Sequence, residues 1–350
     1  MQKIYNRFSN DIGIDLGTAN TLVYARGKGI IVNEPSVVAL NTKSGRIVAV
    51  GSEAREMLGK NPEHIEVIRP LVEGVISDFD VTQEMLAYFI GKVERLSKKF
   101  FRPRVIVGVP SGITNVEQRA VFDAAHNAGA REVYIVEEPM AAAVGLDLPV
   151  REAIGSMVID IGGGTADIAV ISLSGIVYSK NLKIAGDRLN NDIIQYMREV
   201  HNILIGEKTA EEVKIKIGAV YYDEGEMLES IIRGRDIISG LPREIQILHS
   251  DIFSAISDSI SILVEEVKSV LEQTPPELIA DIMQRGVFLV GGGAGIRGLD
   301  LLLSRELDGI PVHIADDPLH AVVIGTQKIF DDFENYKQIL IHEDDEQELS

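Results

Sequence analysis

Residues 12–21 read IGIDLGTANT, and residues 157–165 read MVIDIGGGT. In each stretch an apolar run carries an aspartate near its end, a glycine-containing turn follows, and a second apolar run comes after the turn. This pattern predicts a hairpin of two strands in each place. Because Asp15 and Asp160 hold the same place in the two copies, the sequence predicts two related domains whose hairpins face one cleft.

The two turns carry groups that suit a polyphosphate. Glycine lets main-chain N–H groups approach an anion closely, and neighbouring hydroxyl and amide groups add donors. Asp15 and Asp160 are expected to hold a hydrated Mg²⁺ through its waters, because this ion prefers oxygen ligands and dehydrates reluctantly. Two ordinary turns with aspartate as a turn former are the alternative. The candidate phosphate-binding residues are Gly17, Thr18, Ala19, Asn20, Gly162, Gly163, Gly164 and Thr165.

A third glycine run, at residues 291–298, follows the apolar stretch 287–290. It contains the strand, Gly-x-Gly and helix order of dinucleotide sites, which is a weak signal when it stands alone. Beside the two aspartate hairpins, we expect it to form a flat backbone surface for adenosine. A turn from strand to helix without a ligand is the alternative. The candidate contacts are Gly291, Gly292, Gly293 and Ala294.

Composition and charge exclude several classes of protein. A chain of 350 residues with 45% hydrophobic and 25% charged side chains is long enough for two folded domains. The formal net charge of -19 disfavours nucleic acid as a partner, because a polyanion would be repelled. Without cysteine the chain has no disulfide and no thiolate metal site. The apolar runs are shorter than the roughly 20 residues that cross a bilayer, and the N-terminus does not resemble a signal peptide.

Short Val- and Ile-rich runs alternate with stretches of helical periodicity, which is typical of an α/β protein with buried sheets. Ser250 or Asp251 is expected to cap the last long helix, which ends before Pro275. The predicted strands cover residues 12–16, 21–24, 105–109, 133–136, 157–161, 168–172 and 287–290. The predicted helices cover residues 82–96, 115–128, 185–201, 209–217 and 252–271.

These features resemble the ATPase superfamily of actin, heat-shock chaperones and sugar kinases, and within it the bacterial MreB family. The sequence segments that resemble this family include NEPS at 33–36, VPSGIT at 109–114, EEPMAAA at 137–143 and TPPEL at 274–278. The resemblance implies an actin-like ATPase fold, in which two related ribonuclease-H-like domains surround a nucleotide cleft. It implies these boundaries: domain I at 1–152 and 320–340 with a small subdomain at about 32–68, domain II at 153–319 with a small subdomain at about 187–248, and an acidic tail at 341–350.

The resemblance also implies roles for particular side chains. Glu138 would position the attacking water, and Asp160 and Thr165 join it as catalytic candidates. Glu211 and Lys214 match positions that flank adenine and ribose. From the residues alone, Glu138 at the start of a helix favours its positive end, and Glu211 with Lys214 is an ordinary surface ion pair. Relatives often carry Thr and Glu where this chain has Ala166 and Asp167, which leaves the rate of hydrolysis open.

A basic segment suggests contact with a membrane. Residues 92–104 carry six cations against one anion, a local charge of +5, and Phe100 and Phe101 lie within the segment. Aromatic rings beside cations suit an anionic lipid surface, and similar apolar pairs occur in the MreB family. A packed pair at a helix end with solvated lysines is the alternative. Met1, Ile4, Tyr5 and Phe8 at helical spacing add a weak second anchor or form a frayed terminus.

The resulting expectation is a polymerising ATPase with ATP and Mg²⁺ as cofactors. Subunits adding head to tail without closing a ring give a filament, and the resemblance implies paired antiparallel strands. It further implies a cytoplasmic protein at the inner face of the cell membrane that guides wall synthesis with membrane proteins and maintains rod shape. A small-molecule kinase and a chaperone-type ATPase are the rivals. No extra polar loop supplies the Asp base of a kinase, and the chain ends soon after the nucleotide module, which disfavours a chaperone.

Overall fold

The computed structural model describes residues 9–95, 101–221 and 227–343. The chain divides into two compact units. Unit 1 comprises residues 1–153, 171–176 and 320–350, and unit 2 comprises residues 154–170 and 177–319. The predicted N-terminal anchor and Phe100 lie outside the described residues. In the described part of the chain, no helix combines the length and apolar character needed to cross a bilayer.

Strands and helices alternate as expected for an α/β protein. All the predicted strands are confirmed, and the predicted helices are confirmed with shifts of a few residues at their ends. The strands are β1 (Ser9–Leu16), β2 (Asn20–Ala25), β3 (Gly29–Pro35), β4 (Val38–Asn41), β5 (Arg46–Val50), β6 (Ile65–Ile68), β7 (Leu71–Val72), β8 (Val75–Ile76), β9 (Phe101–Val109), β10 (Glu132–Glu137), β11 (Ser156–Ile161), β12 (Ala166–Ser172), β13 (Gly175–Leu182), β14 (Ile203–Leu204), β15 (Glu229–Asp236), β16 (Pro242–Leu248), β17 (Val287–Val290), β18 (Val312–Ile314) and β19 (Ile341–His342). The helices are α1 (Ser52–Met57), α2 (Phe79–Arg95), α3 (Asn115–Asn127), α4 (Glu138–Gly145), α5 (Gly186–Glu199), α6 (Glu207–Ile217), α7 (His249–Glu272), α8 (Pro276–Arg285), α9 (Leu299–Glu306), α10 (Ala321–Asp331) and α11 (Phe333–Tyr336).

The two main sheets repeat one strand order. The first has the order β19-β10-β9-β1-β2-β3, and the second has the order β13-β12-β11-β17-β18. In the first, β9 pairs parallel with β1 and β10 with β9; in the second, β17 pairs parallel with β11 and β18 with β17. When β1 is matched with β11, five strands of each sheet correspond. The repeat predicted from Asp15 and Asp160 is therefore confirmed in the topology, and each aspartate lies one residue before the end of the matched strand.

Two helices of unit 1 touch through their backbones. A Cβ added at Gly325 of α10 would lie 1.8 Å from the Ala141 carbonyl oxygen of α4. One added at Gly145 of α4 would lie 2.2 Å from the Ala321 carbonyl oxygen of α10. Glycine on both helices is what allows this close approach. The contact fixes α4, which carries Glu138 at its start, against α10.

Each unit also holds a small sheet. In unit 1 the order is β5-β4-β6, and α1 packs against it through a cluster that includes Val37, Ala39 and Ala54. In unit 2 the order is β14-β15-β16. These sheets lie within the residue ranges 32–68 and 187–248.

Two expectations about helix and chain ends are wrong. The long helix α7 begins at His249, so neither Ser250 nor Asp251 is its N-cap. Asp251 instead accepts a hydrogen bond from the backbone N–H of Leu248 at 2.8 Å. The acidic tail does not begin at residue 341, because Ile341 and His342 pair with β10 and Ile341 packs against the core of unit 1.

Candidate functional site

The first glycine turn follows β1 in unit 1. Asp15 is half-buried and lies opposite Gly108 of the parallel strand β9. A Cβ added at Gly17 would lie 2.6 Å from the Asn20 carbonyl oxygen, so this tight turn needs glycine. Asn20 is exposed, which leaves its amide accessible.

Burial changes the protonation of Asp15. It raises the pKa of this carboxyl from 3.8 to about 7, and the nearby His320 partly opposes the shift. His320 is the N-cap residue of α10, and its Nε2 lies 3.4 Å from Nδ2 of Asn33. A partly desolvated carboxylate is the oxygen ligand that Mg²⁺ favours, and a cation nearby would favour the charged form. Asp15 therefore fits the predicted metal site.

The hydroxyl of Thr18 is held by a distant hairpin of unit 1. The side chain is buried, and Oγ1 accepts a hydrogen bond from the backbone N–H of Gly74 at 3.0 Å. Gly74 and Glu73 form the tip between β7 and β8, and both have positive φ. The Thr18 hydroxyl keeps its own proton, so it can donate to a phosphate oxygen.

Glu138 begins α4 and is buried, with 9% of its surface exposed. Its side chain passes over Gly108, where an added Cβ would lie 3.6 Å from Glu138 Cγ. Since Gly108 pairs with Asp15, the structure brings Glu138 beside the first aspartate within unit 1. The neighbouring Glu137 has a different task, because its Oε1 accepts from the N–H of Gly112 at 3.2 Å.

In unit 2 the third glycine run packs on the end of β11. Gly291 has φ 77°, and an added Cβ would lie 2.4 Å from Oδ1 of the buried Asp160. A Cβ at Gly293 would lie 2.2 Å from Cγ2 of Ile161. The run continues as a 3₁₀ turn over Gly292–Gly295 and leads to α9. Thus the structure brings together Asp160 and the glycines predicted to contact adenosine.

The second glycine turn meets the start of α5. The Gly162 N–H donates to the Thr165 carbonyl at 2.9 Å, which closes the turn. The N–H groups of Gly186 and Asp187 donate to the carbonyls of Gly162 and Gly163 at 3.1 and 2.8 Å. Gly164 and Thr165 are buried.

Lys214 belongs to the same cluster. Its Nζ donates to the Gly186 carbonyl at 2.8 Å. Lys214 is therefore not only one member of an ion pair on a solvated surface. Burial lowers the pKa of Lys214, while Glu211 and Asp187 act to raise it. Because α6 places this ammonium beside Gly186, the helix carrying Glu211 and Lys214 is fixed to the second turn.

Asp167 faces away from solvent. It is 1% exposed, and the Asn181 amide donates to both of its carboxylate oxygens at 3.0 Å. This hydrogen-bonded pair holds β12 to β13.

The basic segment is less exposed than its sequence suggested. Arg104 is buried and donates to Asp11 through Nε at 3.0 Å and Nη2 at 2.9 Å. Lys92 forms an ion pair with Glu34. The expected charge of +5 therefore overstates what a lipid surface would meet. Phe101 begins β9, and Arg102 is exposed.

Three residues near the first turn were missed by sequence reasoning. Gly74 contacts Thr18, His320 acts on Asp15, and Ser36 donates its hydroxyl to the Gly17 carbonyl at 2.6 Å. Each lies far along the chain from its partner or on another strand, and no spacing rule links them. Ser36 lies within the segment NEPS at 33–36, but the sequence pattern predicts no role for this serine.

Comparison with known proteins gives consistent matches. The family model for MreB/Mbl protein matches residues 9–338. The cell shape-determining protein Mbl of Bacillus cereus is 49% identical over 321 residues, covering 91% of this chain and 95% of that protein. The cell shape-determining protein MreB of Escherichia coli is 50% identical over 334 residues, covering 94% and 95%. The crystal structure of MreB5 of Spiroplasma citri bound to AMPPNP has a TM-score of 0.88 at 38% identity, covering 94% of this chain and 98% of that one.

Proposed function

This chain belongs to the MreB/Mbl family and has an actin-like fold, and from that premise we propose that it is a Mg²⁺-dependent ATPase that assembles into filaments. The observation that carries the proposal is the repeated hairpin, with an aspartate one residue before the end of the matched strand and a glycine turn after it in each unit. The solved relative MreB5 was bound to AMPPNP, which supports a nucleotide as the ligand.

Each unit supplies its own set of groups for binding the nucleotide and the metal ion. In unit 1 the turn at 17–20 offers main-chain N–H groups and the Thr18 hydroxyl to phosphate oxygens. In unit 2 the turn at 162–165 does the same, and the run 291–294 supports adenosine. Asp15 and Asp160 would hold Mg²⁺ through its waters, and the ion, when bound, would supply positive charge to the phosphate oxygens.

Glu138 is the proposed group that orients water for hydrolysis. Its carboxylate is buried beside the strand that carries Asp15, so solvent competes little for its hydrogen bonds. A carboxylate in this setting can hold a water and accept its proton. Asp160 and Thr165 support the reaction from the second turn.

The proposed cellular role follows from the relatives, which are cell shape-determining proteins. The filament would consist of paired antiparallel strands at the cytoplasmic face of the membrane, with Phe100 and Phe101 as anchors. It would organise membrane proteins of wall synthesis and maintain rod shape. Many weak anchors on one filament would act together through high effective concentration.

Electron microscopy and phosphate release test the proposal together. Purified protein with Mg-ATP is added to anionic and to neutral liposomes. Filaments on anionic lipid and steady phosphate release are the expected results. A monomer that releases no phosphate would contradict the proposal, and transfer of phosphate to a metabolite would indicate the kinase alternative.

A variant pair tests the role of Glu138. In Glu138→Gln we expect ATP binding to persist while hydrolysis falls by about 100-fold, the lower range for a lost acid–base group. Glu66→Gln is the matched control, because Glu66 is exposed on the small sheet. Equal hydrolysis by both variants would remove Glu138 from the mechanism.

A further inference from the structure

Ser36 ties the first glycine turn to the small sheet of unit 1. Its backbone N–H donates to the Ala19 carbonyl at 3.0 Å, and its hydroxyl donates to the Gly17 carbonyl at 2.6 Å. The residue is fully buried, with 0% of its surface exposed. One side chain and its own backbone thus hold two carbonyl groups of the turn.

The direction of these hydrogen bonds is fixed by the count of protons. A carbonyl only accepts, so the single hydroxyl proton of Ser36 goes to Gly17. Thr21 Oγ1 lies 2.8 Å from Ser36 Oγ and must therefore be the donor to it. Removing the Thr21 hydroxyl leaves the bond from Ser36 to Gly17 in place. Removing the Ser36 hydroxyl leaves the buried Thr21 hydroxyl and the half-buried Gly17 carbonyl without these partners.

The two carbonyl bonds also orient two amide groups. In a trans peptide unit, the C=O of one residue and the N–H of the next point in opposite directions. Since the Gly17 and Ala19 carbonyls point at Ser36, the N–H groups of Thr18 and Asn20 point away from it. These are N–H groups that the proposed site offers to phosphate.

Ser36 also leads straight into the small sheet. Strand β4 starts at Val38, and the Gly51 N–H donates to the Val37 carbonyl at 2.9 Å. Val37 is buried against Ala39 in the small cluster. Because no flexible linker separates Ser36 from β4, a shift of the turn carbonyls is passed to the start of this strand.

We propose that Ser36 is a positioning residue: it aims the Thr18 and Asn20 N–H groups and couples ligand binding at the turn to the small sheet. The inference rests on the proposed nucleotide site. It gives the segment 33–36 a role in positioning the ligand-binding N–H groups, in addition to packing.

The test compares three variants of the full chain with AMPPNP and Mg²⁺. Ser36→Ala removes the hydroxyl bond to the Gly17 carbonyl but keeps the backbone bond to the Ala19 carbonyl. Thr21→Val removes a buried hydroxyl that donates to Ser36 but keeps the bond from Ser36 to Gly17. Ser44→Ala changes an exposed serine in the turn between β4 and β5 of the small sheet. Calorimetric titration gives affinity, urea unfolding gives stability, and hydrogen exchange with and without AMPPNP reports on residues 38–50.

We expect AMPPNP to bind Ser36→Ala about tenfold more weakly, the loss of one hydrogen bond that orients donors. Thr21→Val should lose stability yet bind within about threefold of the wild type, and Ser44→Ala should match it. AMPPNP should slow exchange at 38–50 in the wild type and not in Ser36→Ala.

Two results would overturn the assignment of Ser36: wild-type affinity in Ser36→Ala, or an equal loss of affinity in Thr21→Val, since affinity would then follow stability alone. If Ser36→Ala does not fold, unchanged exchange at 38–50 of the wild type on AMPPNP binding also overturns it. A wild type that binds no AMPPNP overturns the proposed function as well, so the two failures are distinguishable.

Discussion

Burial acts in opposite directions on two charged side chains of the candidate site. It raises the pKa of Asp15 to about 7 and lowers the pKa of Lys214. Both shifts have the same cause, because desolvation disfavours the charged form of an acid and of a base alike. Each residue is thus held at a cost in the free protein, and a ligand of opposite charge would relieve that cost.

The shift of Asp15 predicts a pH dependence of stability. The folded state holds this proton more tightly than the unfolded chain, whose carboxyl has a pKa of 3.8. The contribution of this carboxyl to the free energy of unfolding is therefore fully present below about pH 4, and it is lost as the pH rises through about 7. Asp15→Asn stays neutral, so without Mg²⁺ or nucleotide its melting temperature should exceed that of the wild type by an amount that grows from about pH 4 to about 7 and then levels off. A difference in melting temperature that does not change with pH would contradict this.

Substitution of Lys214 is expected to weaken the binding of Mg-ATP while the protein stays folded. Lys214→Met keeps the apolar stem but removes the ammonium that donates to Gly186, so we expect about tenfold weaker binding of Mg-ATP. Lys208→Met on the same helix is the control, because the Lys208 side chain is 80% exposed. Calorimetric titration of both variants checks the prediction, and equal affinities would contradict it.

At the scale of elements, the contact between α4 and α10 is the feature most sensitive to side-chain size. Gly325→Ala would place a methyl group 1.8 Å from the Ala141 carbonyl oxygen, so the helices must separate. Overpacking of this kind costs about 1–3 kcal/mol. We expect the urea midpoint to fall, and hydrolysis to fall with it because Glu138 begins α4.

Gly91→Ala in α2 is the matched control for this change. An added Cβ at Gly91 meets nothing within 4 Å, and alanine favours a helix over glycine by about 1 kcal/mol. Its urea midpoint should rise or stay constant. If both substitutions lowered stability equally, the close contact of α4 and α10 would not be the cause.

The elements differ in how far the sequence predicts them. The buried strands around Asp15 and Asp160 are apolar on both faces and stop at glycine, so their ends could be predicted. The start of α7 could not, because it depends on Asp251 accepting from a residue outside the helix.

The same distinction applies to the site. Residues contiguous with a glycine turn could be proposed from their pattern. Gly74 and His320 reach the first turn only through tertiary contacts, which no local period records. Arg104 looked like a free cation in the sequence, yet the fold buries it against Asp11.

At the scale of the whole molecule, each of the two matched sheets supplies one of the two aspartates of the proposed metal site. The contributions of the two aspartates to binding can be measured separately and together. Asp15 belongs to unit 1 and Asp160 to unit 2. The proposal requires both carboxylates to act on one hydrated Mg²⁺. Residues that act as a unit give non-additive losses, whereas independent sites give losses that add.

Asp15→Asn, Asp160→Asn and the double variant form the corresponding cycle. We expect each single change to weaken Mg-ATP binding by at least about tenfold, and the double variant to lose at least about 1 kcal/mol less than the sum, because the shared ion is lost once. In EDTA all three should bind ATP as weakly as the wild type does there. Asp80→Asn with Asp258→Asn is the control pair, one from each unit and both exposed. Strict additivity, or losses that persist in EDTA, would mean that the two aspartates do not share a metal-bound triphosphate.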